Sequence, residues 1–142
     1  MTISLHQKLA TFYAALFVSV VAIGYIPGFT NDQGLLLGLF KIHLQDDLLH
    51  SFSALWAGWG AWKSRYQAQF YFRWFGLYYT VDAFVGFFTG YTLIDVMTMN
   101  WAANHGFSLG DVTTNFLVNL PHFILGPVAL YIGWFLAQRS HD

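Results

Sequence analysis

The chain has 142 residues, of which 56% are hydrophobic and only 9% charged, against roughly 25% charged in ordinary soluble domains. That composition points to an integral membrane protein of one domain and away from a soluble globular one. A net charge of -1 leaves no basic field for nucleic acid, and the lack of cysteine excludes disulfides, thiolate metal ligands and cysteine nucleophiles.

Four segments are long and apolar enough to be read as membrane-spanning helices, which need about 20 such residues. The first runs from Leu9 to Ile26 and ends at Pro27-Gly28. Its uncharged run exceeds the ~7–15 residues of a signal-peptide core, so it is expected to be retained. Next, TNDQGLLLGLFK (30–41) is expected to form a short helix lying at the membrane interface. The second span, His43 to Trp62, has its polar residues in its first two turns, HLQDDLLH. The third, Phe72 to Leu93, carries Asp82 near its middle. An outer loop (95–111) holds Met97, Met99 and His105. The fourth span, Leu109 to Ala137, opens with Ser108 and Asp111 in a capping-box spacing and should be bent by Pro121 and Pro127.

Lysine and arginine are retained on the cytoplasmic side. Lys8 precedes the first span, Lys63, Arg65 and Arg73 lie between the second and third, and Arg139 follows the fourth. Both termini are therefore expected in the cytoplasm, and HLQDDLLH at the outer end of the second helix. Arg65 and Arg73 are expected to meet lipid phosphates.

The polar residues repeat. HLQDDLLHSFSALWAG laid beside NFLVNLPHFILGPVAL brings His43 onto Asn115, Asp47 onto Asn119 and His50 onto His122. Spacings of four and then three keep each set on one helical face, which continues through Ala54, Ala57, Gly58 and Ala61 in one copy and Gly126 and Gly133 in the other. The expected fold is an all-α integral membrane four-helix bundle, one transmembrane domain over 1–142. It is built from two parallel helical-hairpin repeats, at about 6–65 and 70–139, whose polar faces meet.

LFKIHLQDDLLHSFSALWAG and NFLVNLPHFILG resemble the Asn/Asp-x-x-His signatures in helices 2 and 4 of a family of small four-helix bacterial membrane proteins catalogued as a domain of unknown function. Asp47 stands where that pattern has Asn, and Pro121 where it has an ordinary helix former. The resemblance implies the four-helix topology and a bacterial inner-membrane location, and it implies no activity.

Ionisable groups inside a span are costly, and are paired, line water or serve a function. Four readings follow. The cluster can hydrogen-bond across helices and fix their register. It can hold a transition metal, with His43, Asp46, Asp47, His50 and His122 as ligands, since imidazole and carboxylate suit Zn, Cu or Fe; Asp82 or Asn119 would then orient a histidine from behind. A b-type haem would take His50 and His122 as its axial pair. A proton or ion route would run from His43 and Asp46 through His50 to Asp82. Asp82, Asn115 and Asn119 support the cluster in each reading. The aromatic runs ALWAGWGAW and QFYFRWFGLYY fit lipid-facing belts, or a groove for a quinone, carotenoid or lipid. No phosphate-binding or dinucleotide motif is present, and Ser51 and Ser53 have no obvious base. The expected function is a small non-enzymatic accessory or scaffold protein of the bilayer, in a larger membrane complex or a homo-oligomer. A metal- or haem-binding protein with a redox or sensing role is the alternative, and ion conduction a weaker one.

Overall fold

The computed structural model describes residues 3–32, 35–38, 40–41, 44–98 and 111–136. It is all-α, with four long helices. Helix α1 (Leu5–Gly24) opens on a capping box: Gln7 N–H donates to Ser4 Oγ, and Ser4 N–H donates to Gln7 Oε1. Two amides that the first turn leaves unpaired are thereby satisfied.

The stretch after α1 is not the interfacial helix expected over 30–41. Strand β1 (Leu35–Leu36) pairs antiparallel with β2 (Phe40–Lys41), Leu36 opposite Phe40. Leu37 and Gly38 take φ of 54° and 71°, values that a right-handed helix does not contain. Glycine inside the leucine run makes that reversal cheap.

Helix α2 (Leu44–Lys63) and helix α3 (Arg65–Thr89) are joined by Ser64 alone. The loop expected to carry Lys63, Arg65 and Arg73 is thus one residue long, and the third helix starts at Arg65 rather than Phe72. Ser64 caps it, its Oγ accepting from Gln67 N at 3.2 Å, and residues 65–69 include no helix breaker. The turn is tight enough that a Cβ on Gly60 would lie 3.1 Å from the Gln67 carbonyl oxygen.

Helix α3 ends at Gly90, whose φ of 75° is the left-handed cap that glycine adopts freely. Short α4 (Leu93–Thr98) follows. Helix α5 (Val112–Leu130) opens on Asp111, which accepts from Thr114 N at 3.0 Å and from Thr114 Oγ1 at 2.7 Å. Ser108, the other half of the expected capping pattern, lies outside the described residues, as do Met99, His105 and Arg139. Pro121 and Pro127 fall within α5, and its continuation widens to a π-helical turn at Tyr131–Leu136. Arg73 is turned toward that turn: its Nε donates to Gly133 O at 2.8 Å, and its guanidinium lies 4.7 Å over the Trp134 ring. These contacts follow from the place of Arg73 in the third turn of a helix rather than in a loop.

Helices α1 and α2 pack antiparallel, as do α3 and α5, and α3 touches α1, α2 and α5 alike. Backbones of α3 and α5 meet where glycine removes the side chain. A Cβ on Gly76 would lie 2.6 Å from Leu130 N, and one on Gly126 2.7 Å from Thr80 N. The core between the hairpins is aromatic, with Tyr13, Phe17, Tyr71, Phe72, Phe75 and Tyr79 buried and the last two rings 4.1 Å apart. Tyr13 ties the hairpins together by donating from Oη to Leu125 O at 3.1 Å. Among the described residues, two helices, Leu5–Gly24 and Val112–Leu136, are long and apolar enough to cross a membrane.

Candidate functional site

Asp82 is the most enclosed charged residue described, at 1% exposure. It lies seven residues before the end of α3, on the order of 10 Å along the helix at ~1.5 Å per residue. A buried carboxyl group needs partners for its oxygens, and Asp82 has two. Oδ1 accepts from Leu93 N, the first amide of α4, at 2.6 Å. Oδ2 accepts from His122 Nδ1 at 2.5 Å. Helices α3, α4 and α5 therefore converge on one carboxylate. With Nδ1 committed to Asp82, the second ring nitrogen of His122 is Nε2.

His50 comes from α2 to the same place. Its ring stacks on Phe17 of α1 at 5.5 Å and 18°, and meets His122 edge-on at 6.5 Å and 76°. Tyr79, one turn before Asp82, lies 4.7 Å from the His122 ring and 6.5 Å from that of His50. Two polar atoms here, His50 Nδ1 and Tyr79 Oη, are buried with no hydrogen-bond partner among the described residues. Helix α1 contains no acidic residue, so what faces His50 from that side is the Phe17 ring rather than a carboxylate like Asp82.

The asparagines of α5 serve the helix pair. Asn115 Nδ2 donates to Phe87 O at 3.1 Å, and Asn119 Nδ2 to Asn115 O at 2.9 Å. The Asn119 side chain occupies the space left by Gly86, where any Cβ would overlap it. Asp47, its expected counterpart in α2, behaves differently. It accepts from Tyr25 Oη at 2.8 Å at the exposed end of the hairpin. That hydrogen bond, and then the negative charge behind it, push the Tyr25 phenol above its ordinary value of 10.0.

Of the expected ligands, the structure brings His50 and His122 together, with Asp82 behind His122. Asp47 does not join them, because Tyr25 just past α1 holds it. Asp46 is buried at 7% exposure in the first turn of α2, and His43 lies outside the described residues. Among those residues, no three His, Cys, Asp or Glu side chains are grouped to hold a metal ion. The expected meeting of the polar faces of α2 and α5 is narrower than foreseen: it is made by the His50 and His122 rings, and elsewhere α3 lies between. The aromatic runs contribute an apolar groove of about 310 Å³ between α2 and α3, lined by Leu49, Phe52, Ser53, Trp56, Trp74, Phe75 and Tyr78.

Tyr79 precedes Asp82 by three residues and so shares its face. Two contributors were not foreseen from sequence: Phe17 carries no polar signal, and the Leu93 amide is a backbone group. Set against protein families, curated proteins and solved structures, the chain has no match.

Proposed function

We propose that this chain is a non-enzymatic integral membrane protein of four spans, built as two parallel hairpin repeats, that serves as an accessory or scaffold component. The observation that carries the reading is an apolar exterior around a core that buries several polar side chains. Asp82, Asn115, Asn119, Ser53 and His6 are buried, while Phe12, Leu55, Trp62, Trp74, Ile124 and Phe135 stand 52–78% exposed around all four long helices. Water drives the opposite arrangement; hydrocarbon favours this one, since polar groups there must be satisfied inside the bundle. Positive residues at the Lys63–Arg65 turn and at the N-terminus support cytoplasmic termini in a bacterial inner membrane, with the Asp82–His122–His50 cluster toward the outer side. In this reading the cluster fixes how the hairpins meet, and the apolar exterior faces lipid and a larger membrane complex or a second copy.

The chain has no native cysteine, so single cysteines report topology cleanly. Cysteine at Leu37 should react with an impermeant maleimide in intact cells, and cysteine at Ser64 only after permeabilisation. Affinity purification in mild detergent should recover the chain within a larger assembly. A chain found in the soluble fraction after lysis, or labelled equally at both positions, overturns the membrane reading; a monodisperse monomer in mild detergent overturns the scaffold role.

A further inference from the structure

We propose that His50 and His122 together bind one borderline transition-metal ion, of the Zn2+, Co2+ or Cu+ kind, at the outer side of the bundle. The argument begins with His122. Metal-bound histidines generally give their other ring N–H to a carboxylate, which fixes the tautomer and raises ligand basicity. Asp82 holds His122 in that arrangement through Nδ1 at 2.5 Å, and Asp82 is itself fixed by the Leu93 amide. Nε2 of His122 is then the coordinating atom.

The second line is independent of the first. His50 Nδ1 and Tyr79 Oη are both buried without a hydrogen-bond partner among the described residues, and their rings both lie against His122. Native structures rarely leave such atoms unsatisfied, and a water or ion is a usual explanation. Two of them at one place, beside a carboxylate-oriented imidazole, indicate a ligand shared by the two histidines. The ring centroids are 6.5 Å apart, close to the separation set by one ion held in line between two imidazole nitrogens at about 2.0–2.1 Å each. Neutral nitrogen donors select Zn, Cu, Co or Fe over Mg or Ca. A single ion suits the surroundings better than a haem, because the Phe17 and Tyr79 rings already pack against the two imidazoles. That in-line span suits Cu+ as it stands, whereas Zn2+ or Co2+ would draw the rings closer and take solvent as further ligands.

This inference rests on the cluster described above, and its test is separate from that of membrane insertion. The full chain, stripped with chelator in detergent, is titrated with Zn2+, Co2+ and Cu+ and desalted before metal analysis. One ion per chain is expected, with two imidazole scatterers in its X-ray absorption spectrum. His50→Ala and His122→Ala should each abolish uptake, Asp82→Asn should weaken affinity about 10- to 100-fold, and His105→Ala should change nothing. Uptake that survives loss of both histidines, or a wild-type spectrum without imidazole scattering, overturns the proposal. So does an absence of stoichiometric uptake from a chain that elutes as a single helical species. Should the alanine variants fail to fold, the wild-type spectrum and Asp82→Asn decide the matter. A chain that inserts with the expected topology and takes up no ion overturns the metal inference alone.

Discussion

The Nδ1 atom of His122 lies 2.5 Å from Oδ2 of Asp82, across a helix pair whose backbones are held close by glycine. The acid is 1% exposed and the histidine 17%, so the two partners do not lose equally when the pair is broken. His122→Ala leaves the more deeply buried acid short of a partner. It should cost about 3–5 kcal/mol, the range for orphaning one member of a buried pair. Unfolding in detergent should show that the double variant with Asp82→Ala loses less than the sum of the single losses.

Close packing of α3 on α5 gives a second expectation. Gly126→Ala would press a methyl group to 2.7 Å from Thr80 N, whereas Gly58→Ala would meet only the Ala14 methyl, at 3.9 Å. Thermal unfolding should show Gly126→Ala less stable by about 1–3 kcal/mol, the usual penalty for overpacking, and Gly58→Ala close to the parent. Equal losses at the two positions would count against the backbone contact.

Two buried tyrosines should respond in opposite directions to removal of the hydroxyl. Tyr13 Oη donates to Leu125 O at 3.1 Å, so Tyr13→Phe should lose about 0.5–1.5 kcal/mol. Tyr71 Oη is buried with no partner among the described residues, so Tyr71→Phe should be neutral or stabilising, because a desolvated hydroxyl is removed. A loss at Tyr71 as large as that at Tyr13 would show that the Tyr71 hydroxyl is bonded after all.

Asp111 caps α5, and its pKa is held below 3.8 chiefly by the Thr114 side-chain hydroxyl and then by the Thr114 amide. A lowered folded-state pKa contributes stability that is present above 3.8 and lost as pH falls through the lower folded value. Hydrogen exchange corrected for intrinsic rates should therefore show the first turn of α5 opening in that acid window. In Asp111→Asn, which still caps but does not titrate, the window should disappear.

Much of the architecture was readable because membrane-type segments are long and their polar residues few. Helices α1, α2 and α5 lie close to their expected positions, and Asp82 stood out as an acid within an apolar stretch. The start of α3 was hidden because KSRYQAQ is polar, and polarity alone does not distinguish an exposed first turn from a loop. The turn at Leu37-Gly38 was hidden because a short leucine-rich run with one glycine fits strand or helix equally well. At the site, His50 and His122 were paired from their matching positions when HLQDDLLHSFSALWAG is laid beside NFLVNLPHFILGPVAL. What pulls Asp47 aside is Tyr25, 22 residues earlier, a contact that depends on the angle at which the chain leaves α1.

The single residue between α2 and α3 has a consequence for biogenesis. Lys63 ends one helix, Ser64 turns the chain and Arg65 begins the next, so under the membrane reading proposed above no slack exists for the two to enter a bilayer one after the other. On that reading they partition as a unit, and the acids and histidine of α2 enter together with Asp82 of α3. Translation halted partway through α3 should therefore strand α2 as well, leaving α1 as the sole inserted segment.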